Sequence, residues 1–240
     1  MHFSEKILWK LLRKINPAYH PSKTSWAQQG EDLIIDFLFT QFLDCRTPSY
    51  LDIGANHPYH LSNTYFFYQK GSTGVNVEPD PSLIKNFQRL RKNDITLNNG
   101  VGSEQGNFDF FVMSSPTLNT FSKETAEKYS KSSHFGFPFV KKVVNVPVVT
   151  ANEILQNYFS NNPNYFISID VEGLDFEILQ SIDFVKFKPP VICIETNGKD
   201  NILVTKYLHS KGYLLYADNS TNCIFIFKEK FPPEIYDSIN

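Results

Sequence analysis

Four apolar runs in this chain end in acidic residues, and those endings are where chemistry is expected. They are Tyr50-Leu51-Asp52-Ile53-Gly54-Ala55-Asn56-His57-Pro58, Thr73-Gly74-Val75-Asn76-Val77-Glu78-Pro79, Tyr165-Phe166-Ile167-Ser168-Ile169-Asp170-Val171-Glu172-Gly173, and Val191-Ile192-Cys193-Ile194-Glu195-Thr196-Asn197-Gly198. A parallel strand buried on both faces is apolar to its end, and open α/β sheets bind ligands outside the carboxyl ends of their strands. Gly54 lets the backbone turn sharply and approach a ligand, while Asp52 places an acceptor at the strand mouth. Asp170 and Glu172, two residues apart, can share a pocket in which either binds a proton, a metal ion or a substrate hydroxyl. The plainer reading makes Gly54 an ordinary strand-to-helix turn, Asp175 a helix cap and Glu172 a solvated side chain.

Glu78 lies 24 residues beyond Gly54, close to the spacing at which an acid accepts hydrogen bonds from ribose hydroxyls. The loop Gly54-Ala55-Asn56-His57-Pro58-Tyr59 has only the first glycine of G-x-G-x-x-G, so no pyrophosphate cradle is present and a dinucleotide is disfavoured. A ribose ligand without phosphates, such as the adenosine of S-adenosylmethionine, needs none. Asn99 and Gly100 end a third strand, Ile95 to Gly102, where an amide and a close backbone can read an adenine edge. Upstream, Gln28 and the amides around Gly30 offer one wall of a pocket, while Glu31 and Asp32 suit the positive end of the following helix.

These residues need a sheet with helices between its strands to hold them. Helical segments are expected at Leu33–Phe39, Leu61–Lys70, Pro81–Lys92, after Thr150 and up to Lys211. Gly212–Ala217 and Asn222–Phe227 read as a closing antiparallel hairpin, which a parallel sheet accepts at its edge. Asn107–Met113 and Lys142–Val148 should pair, with Ser114–Lys141 between them as a substrate-facing flap. Ser4 can cap a helix to about Ile15, apolar on one face and carrying Lys6, Lys10, Arg13 and Lys14 elsewhere, before Pro17 stops it. Such a helix docks on its own domain, on a partner subunit or on an anionic membrane.

The 240 residues, 41% of them hydrophobic and 22 of them phenylalanine, suit one α/β domain with a ring-rich core. The division is a helix and linker over residues 1–24 and a single domain over 25–240, with an insertion at about 107–149. A net charge of −2 gives no broad basic field, so nucleic acid is not an expected partner. No apolar run reaches membrane-spanning length, and Cys45, Cys193 and Cys223 form no disulfide or zinc pattern, which makes a reducing cytoplasm the default.

With those residues in place, the chain from about Trp26 to Phe227 resembles the FkbM-type S-adenosylmethionine-dependent methyltransferases. The resemblance rests on Gln28-x-Gly30-Glu31-Asp32, Asp52-Ile53-Gly54-Ala55-Asn56, Glu78-Pro79, Asn99-Gly100 and Ile169-Asp170-Val171-Glu172-Gly173, in that order. Ala27 and Ser168 depart from it, standing where serine and lysine are common. It implies a class I methyltransferase fold, a Rossmann-like seven-stranded doubly wound sheet with the last strand antiparallel. It also implies that Gly54, Ala55 and Asn56 line the methionine part of the cofactor, Glu78 holds the ribose, Asn99-Gly100 border the adenine, and Gln28 and Asp170 lie toward the methionine end.

The expected reaction is methyl transfer to a sugar hydroxyl, on a nucleotide-linked or polysaccharide-precursor carbohydrate, by a chain that can self-associate. A hydroxyl needs its proton removed as the bond forms, and the candidate bases are His57, His134, Asp170 and Glu172. Histidine titrates in the useful range, which favours His57 or His134 unless burial raises a carboxylate. No metal ligand is assigned, although Asp170, Glu172 and Glu195 could surround a divalent ion. A nicotinamide-dependent sugar oxidoreductase and a non-catalytic binding module are the alternatives from other classes.

Overall fold

The computed structural model describes residues 23–196 and 201–235. The Ser4–Ile15 helix and the Asn197-Gly198 end of the fourth acidic run lie outside them. The strands are β1 (Ser49–Ile53), β2 (Gly74–Val77), β3 (Ile95–Leu97), β4 (Gly100–Gly102), β5 (Gly106–Met113), β6 (Val140–Thr150), β7 (Tyr165–Ile169), β8 (Val191–Glu195), β9 (Tyr213–Asp218) and β10 (Asn222–Phe227). The α-helices are α1 (Glu31–Phe42), α2 (Tyr65–Gln69), α3 (Pro81–Leu90), α4 (Lys123–Ser130), α5 (Ala151–Tyr158), α6 (Asp175–Ser181) and α7 (Asn201–Ser210).

Seven strands form one sheet in the order β3-β2-β1-β7-β8-β10-β9. β1 runs parallel to β2 and β7, β2 to β3, and β7 to β8, whereas β10 is antiparallel to both β8 and β9. The expected seven-stranded sheet with an antiparallel last strand is therefore present, and β9 is its outer edge. Side chains alternate between faces along each strand. Leu51, Ile53, Ile167, Ile169, Ile192 and Ile194 join Ile154, Leu179 and Leu208 of three helices in one core. Tyr50, Phe166, Val191, Cys193, Ile224 and Ile226 pack with Ile35, Leu38 and Phe39 of α1 in the other. Asp52 and Ser168 follow Tyr50 and Phe166 on that second face, so its apolar character gives way to polar groups at the strand ends.

Two segments differ from expectation by more than a shift of their end residues. The helix read over Leu61–Lys70 is only Tyr65–Gln69, because Leu61 is left-handed (φ 55°) and the Ser62 hydroxyl receives the Thr64 and Tyr65 amides. The strand read over Ile95–Gly102 is two strands. β3 belongs to the large sheet, while β4 enters a second sheet of order β4-β6-β5. The switch falls at Asn98, whose side-chain amide donates to the carbonyls of Glu78 (2.9 Å) and Pro79 (3.0 Å) and so leaves the ladder. β5 and β6 pair antiparallel with Asn107 opposite Pro147 and Val112 opposite Lys142. Among the described residues, no helix is long and apolar enough to cross a membrane, and the three cysteines are free.

Candidate functional site

The carboxyl ends of β1, β2, β7 and β8, together with the flap, enclose a cavity of about 330 Å³, a volume in the range of small-ligand sites. It sits beside β1, where the chain leaves toward β2 on one side and β7 lies on the other, the switch point of the sheet. Hydrogen bonds continue past the strands and draw their mouths together. Asp170 N–H donates to the Ile53 carbonyl (3.0 Å), and the Gly54 and Ala55 amides both donate to the Val77 carbonyl (3.0 and 3.1 Å). Gly54 has φ 81°, and a Cβ there would lie 1.8 Å from the Asp170 carbonyl oxygen. No other residue fits.

Asn56 follows in the left-handed region (φ 46°), which asparagine tolerates better than most residues. Its backbone N–H donates to Glu78 Oε2 (2.8 Å) and its side-chain amide to the Pro116 carbonyl in the flap (2.8 Å). The other Glu78 oxygen receives the Asp80 amide (2.7 Å). Each oxygen keeps a second lone pair for a ligand hydroxyl. Glu78 is only 3% exposed, and burial outweighs the two amides and pushes its pKa up to about 7. Asp52 accepts from the Thr64 hydroxyl (2.7 Å); burial lifts it to about 6.

Beneath this loop lies Arg91, 1% exposed. Its Nε pairs with Asp94 (2.7 Å), Nη1 donates to the Pro58 carbonyl (2.8 Å), and Nη2 donates to the Tyr50 hydroxyl (2.9 Å) and the Thr64 hydroxyl (3.1 Å). The rigid guanidinium fork thus fixes the backbone of the 54–64 loop from below, with every bond inside the protein.

The opposite wall is acidic. Oxygens of Asp170, Asp175 and Glu195 lie within 4.8 Å of one another. Asp175 is engaged by the Val171 and Gly173 amides (2.9 and 3.1 Å) and holds the turn before α6. The trio differs from the ion-binding set drawn from sequence, in which Glu172 stood where Asp175 stands. Glu172 instead has left-handed backbone (φ 56°), an uncommon conformation for its type. The flap holds it there: the Thr120 hydroxyl donates to its carbonyl (2.8 Å) and the Tyr129 hydroxyl to its carboxylate. Burial, then the neighbouring Asp170, raises Glu172 to about 8, and burial, then Glu172, raises Glu195 to about 8. Asp170 is raised by burial first and by Glu195 and Asp175 next. Among the described residues its carboxylate receives no hydrogen bond.

The structure brings Gln28, Asp52, Gly54, Ala55, Asn56, Glu78, Pro79, Asn99, Gly100, Asp170 and Glu172 to the cavity wall. Gly30, His57 and His134 do not line it. Gly30 is the left-handed residue before α1 (φ 91°), and its carbonyl accepts the Leu33 and Ile34 amides. Glu31 and Asp32 are buried anchors: Glu31 receives the Asn219 and Asn222 side-chain amides, and Asp32 the Ser25 hydroxyl and Trp26 amide. His57 Nδ1 accepts the His60 amide (3.0 Å) and closes its own loop; burial, then His60, lowers its pKa. His134 is exposed, and its neighbour Phe135 takes the wall position.

Sequence reasoning passed over Asn63, Phe121, Tyr129 and Arg91. Asn63 reaches the Ser168 hydroxyl (3.1 Å) at the cavity wall. A Cβ at Gly100 would lie 2.4 Å from the Phe121 ring, so that glycine is what lets the ring close over β4. Tyr129 meets an acid 43 residues away, which no local pattern reports. Arg91 and Asp94 pair across the turn that follows α3, where helical spacing does not apply and so gave no signal.

A family model described as the methyltransferase FkbM domain matches residues 52–215, more than half of the chain. No curated protein sequence matches at a significant level. Among solved structures, the chain is similar to a precorrin-6y C5,15-methyltransferase from Geobacter metallireducens at 12% identity and a TM-score of 0.43, covering 89% of this chain and 94% of that one. It is also similar to a 1,6-didemethyltoxoflavin-N1-methyltransferase from Burkholderia thailandensis, solved with bound 1,6-didemethyltoxoflavin and S-adenosylhomocysteine, at 9% identity and a TM-score of 0.41, covering 93% and 84%.

Proposed function

This chain belongs to the methyltransferase FkbM domain family, and on that premise we propose that it methylates a hydroxyl of a carbohydrate, with Glu172 as the group that takes the hydroxyl proton. Its methyl donor is S-adenosylmethionine, which when bound supplies an electrophilic methyl group on a sulfonium. The donor set fits that molecule. Glu78 keeps lone pairs free for a ribose diol, Asp52 and Asp170 suit a cationic amino group, and Val101 and Pro79 offer apolar surface beside Asn99 and Gly100 for the adenine. Gln28, Gly54, Ala55 and Asn56 would flank the methionine part, in a single domain over residues 25–240 whose insertion at about 107–149 faces the substrate.

The observation that carries the reading is Glu172 itself. It stands on the cavity wall with the Tyr129 hydroxyl donating to its carboxylate, and burial, then Asp170, raises it to about 8, so that the ionised fraction at neutral pH, about one tenth, is a stronger base than an ordinary carboxylate and is matched to assisting loss of a hydroxyl proton. The Tyr129 hydroxyl stabilises the ionised form and orients it. The mouth around it mixes polar groups, Asn63, Ser115, Thr117 and Asn119, with the rings of Tyr129 and Phe135, which suits a ligand carrying hydroxyls on one face and C–H groups on the other. The approach is chiefly a matter of positioning, since an in-line displacement gains most from holding the acceptor at attack distance.

Mass spectrometry of sugar nucleotides incubated with the protein and isotopically labelled S-adenosylmethionine tests the proposal. The expected result is gain of one labelled methyl on one acceptor, lost in Glu172→Gln with S-adenosylhomocysteine affinity retained. Transfer to nitrogen or carbon acceptors alone would overturn the O-methylation reading. Binding of S-adenosylmethionine without transfer to any acceptor would favour a binding module, and binding of NAD in its place an oxidoreductase.

A further inference from the structure

The tip of the flap carries an exposed apolar surface that, Phe135 apart, does not line the cavity. Phe137 and Phe139 are each 61% exposed, and Phe135, Val140 and Val143 are exposed beside them. Single exposed apolar side chains are ordinary, whereas five in nine consecutive residues make a patch. The patch is built. The Gly136 and Phe137 amides donate to the Ser133 and Ser132 carbonyls (3.1 and 3.0 Å), and the Ser114 amide donates to the Phe139 carbonyl (2.8 Å). The Phe139 amide in turn donates to the Ser114 hydroxyl (3.1 Å). Gly136 and Phe137 both have left-handed backbone (φ 72° and 53°). Phenylalanine tolerates that region poorly, so the closing hydrogen bonds hold the ring outward against a local cost.

The segment that carries the patch has charge of one sign, while Asp109 on β5, opposite Asn145 and next in register to Val143 on the same face, is an exposed acid beside it. No acidic residue occurs between Glu127 and Glu153, a stretch that contains Lys128, Lys131, Lys141 and Lys142, although the whole chain has a net charge of −2. Lys131 adjoins the turn, Lys141 and Lys142 follow Phe139 after Val140, and all three are exposed. A second copy of the chain is a poor occupant, because a twofold interface would set these lysines against themselves. Rings flanked along the chain by lysines match the chemistry of an anionic lipid surface, where apolar groups enter the acyl boundary and ammonium groups remain among phosphates.

We infer that this edge of the flap docks on an anionic bilayer, with Phe137 and Phe139 inserted and Lys131, Lys141 and Lys142 among the headgroups. Phe135 belongs to both the patch and the cavity wall, and its ring packs edge-on against Tyr129 at 5.0 Å between centroids. Docking therefore sets the cavity mouth against the lipid surface. The inference stands apart from the choice of acceptor and from methyl transfer itself.

Vesicle co-sedimentation of the full chain tests it. Binding is expected to vesicles of phosphatidylglycerol and phosphatidylcholine mixed, and to be far weaker with phosphatidylcholine alone. Phe137→Ser with Phe139→Ser should weaken it at least about tenfold, and Lys141→Glu with Lys142→Glu at least about twentyfold at low salt, from about fivefold for each lysine near the surface. A Phe137→Trp variant should show blue-shifted emission on anionic vesicles and quenching by brominated acyl chains. Unchanged melting temperatures and S-adenosylhomocysteine affinity in these variants keep the comparison clean. Absence of vesicle binding would overturn the inference. So would binding that the flap substitutions leave intact but Lys10→Glu with Arg13→Glu abolishes, or a dimer in sedimentation velocity that the flap substitutions dissolve.

Discussion

Glu78→Gln separates the cost of burying the acid proposed to hold the ribose from its use. Taking the pKa from 4.5 to about 7, at roughly 1.4 kcal/mol for each tenfold change in proton affinity, ionising Glu78 in the folded protein costs about 3 kcal/mol. Its burial leaves little solvent to screen that cost. Because the folded state keeps the proton after the unfolded chain has lost it, the contribution to stability is complete below pH 4.5 and is lost as the pH rises through about 7. Between about pH 5 and pH 8 the wild type should therefore lose about 2 to 3 kcal/mol from this group that Glu78→Gln does not lose. At the acid end the variant should be less stable by about 1 kcal/mol, since its NH₂ faces one of the Asn56 and Asp80 amides. Urea denaturation across that pH range reads both quantities. The same substitution removes a charged acceptor and should weaken S-adenosylhomocysteine about 10- to 100-fold in calorimetry. Parallel pH slopes for the two proteins would refute the burial argument, and unchanged affinity would refute the ribose role.

Three further outcomes follow from the geometry. Gly54→Ala should cost at least about 2 kcal/mol and abolish cofactor binding, whereas Gly136→Ala, where a Cβ meets nothing within 4 Å, should cost about 1 kcal/mol; thermal melts compare them. Tyr129→Phe deletes the hydrogen bond that favours ionised Glu172, so the acid limb of kcat/KM should move to higher pH by about one unit, and an unmoved limb would take the proton-acceptor role from Glu172. Arg91→Met leaves Asp94 buried without its guanidinium and should destabilise by about 3–5 kcal/mol. Hydrogen exchange should rise first in residues 54–64, where the Pro58 carbonyl loses its donor.

Much of the sheet was legible because its strands are short apolar runs closed by acids and glycine, and a strand buried on both faces admits little else. Gly54, Glu78 and Asp170 were visible for the same reason: each breaks an apolar pattern at a strand end, where the fold class places ligands. Three things were settled only by chain segments meeting across the molecule. The 54–64 loop looked helical from Leu61 onward, yet Arg91 pins Pro58 and the Ser62 hydroxyl takes the Thr64 and Tyr65 amides, contacts that no local propensity contains. Histidine looked the better base by its solution pKa, yet His57 spends its Nδ1 on its own loop and stays off the cavity wall, and His134 is exposed where Phe135 takes the wall position. Glu172 could be read as a solvated acid until Tyr129 and Thr120 arrived from the flap. Sequence by itself determined which residue types stand at the strand mouths. Tertiary structure decided which are ionised with ease, because desolvation and like-charge proximity depend on what packs around a carboxylate and are absent from any single segment of chain.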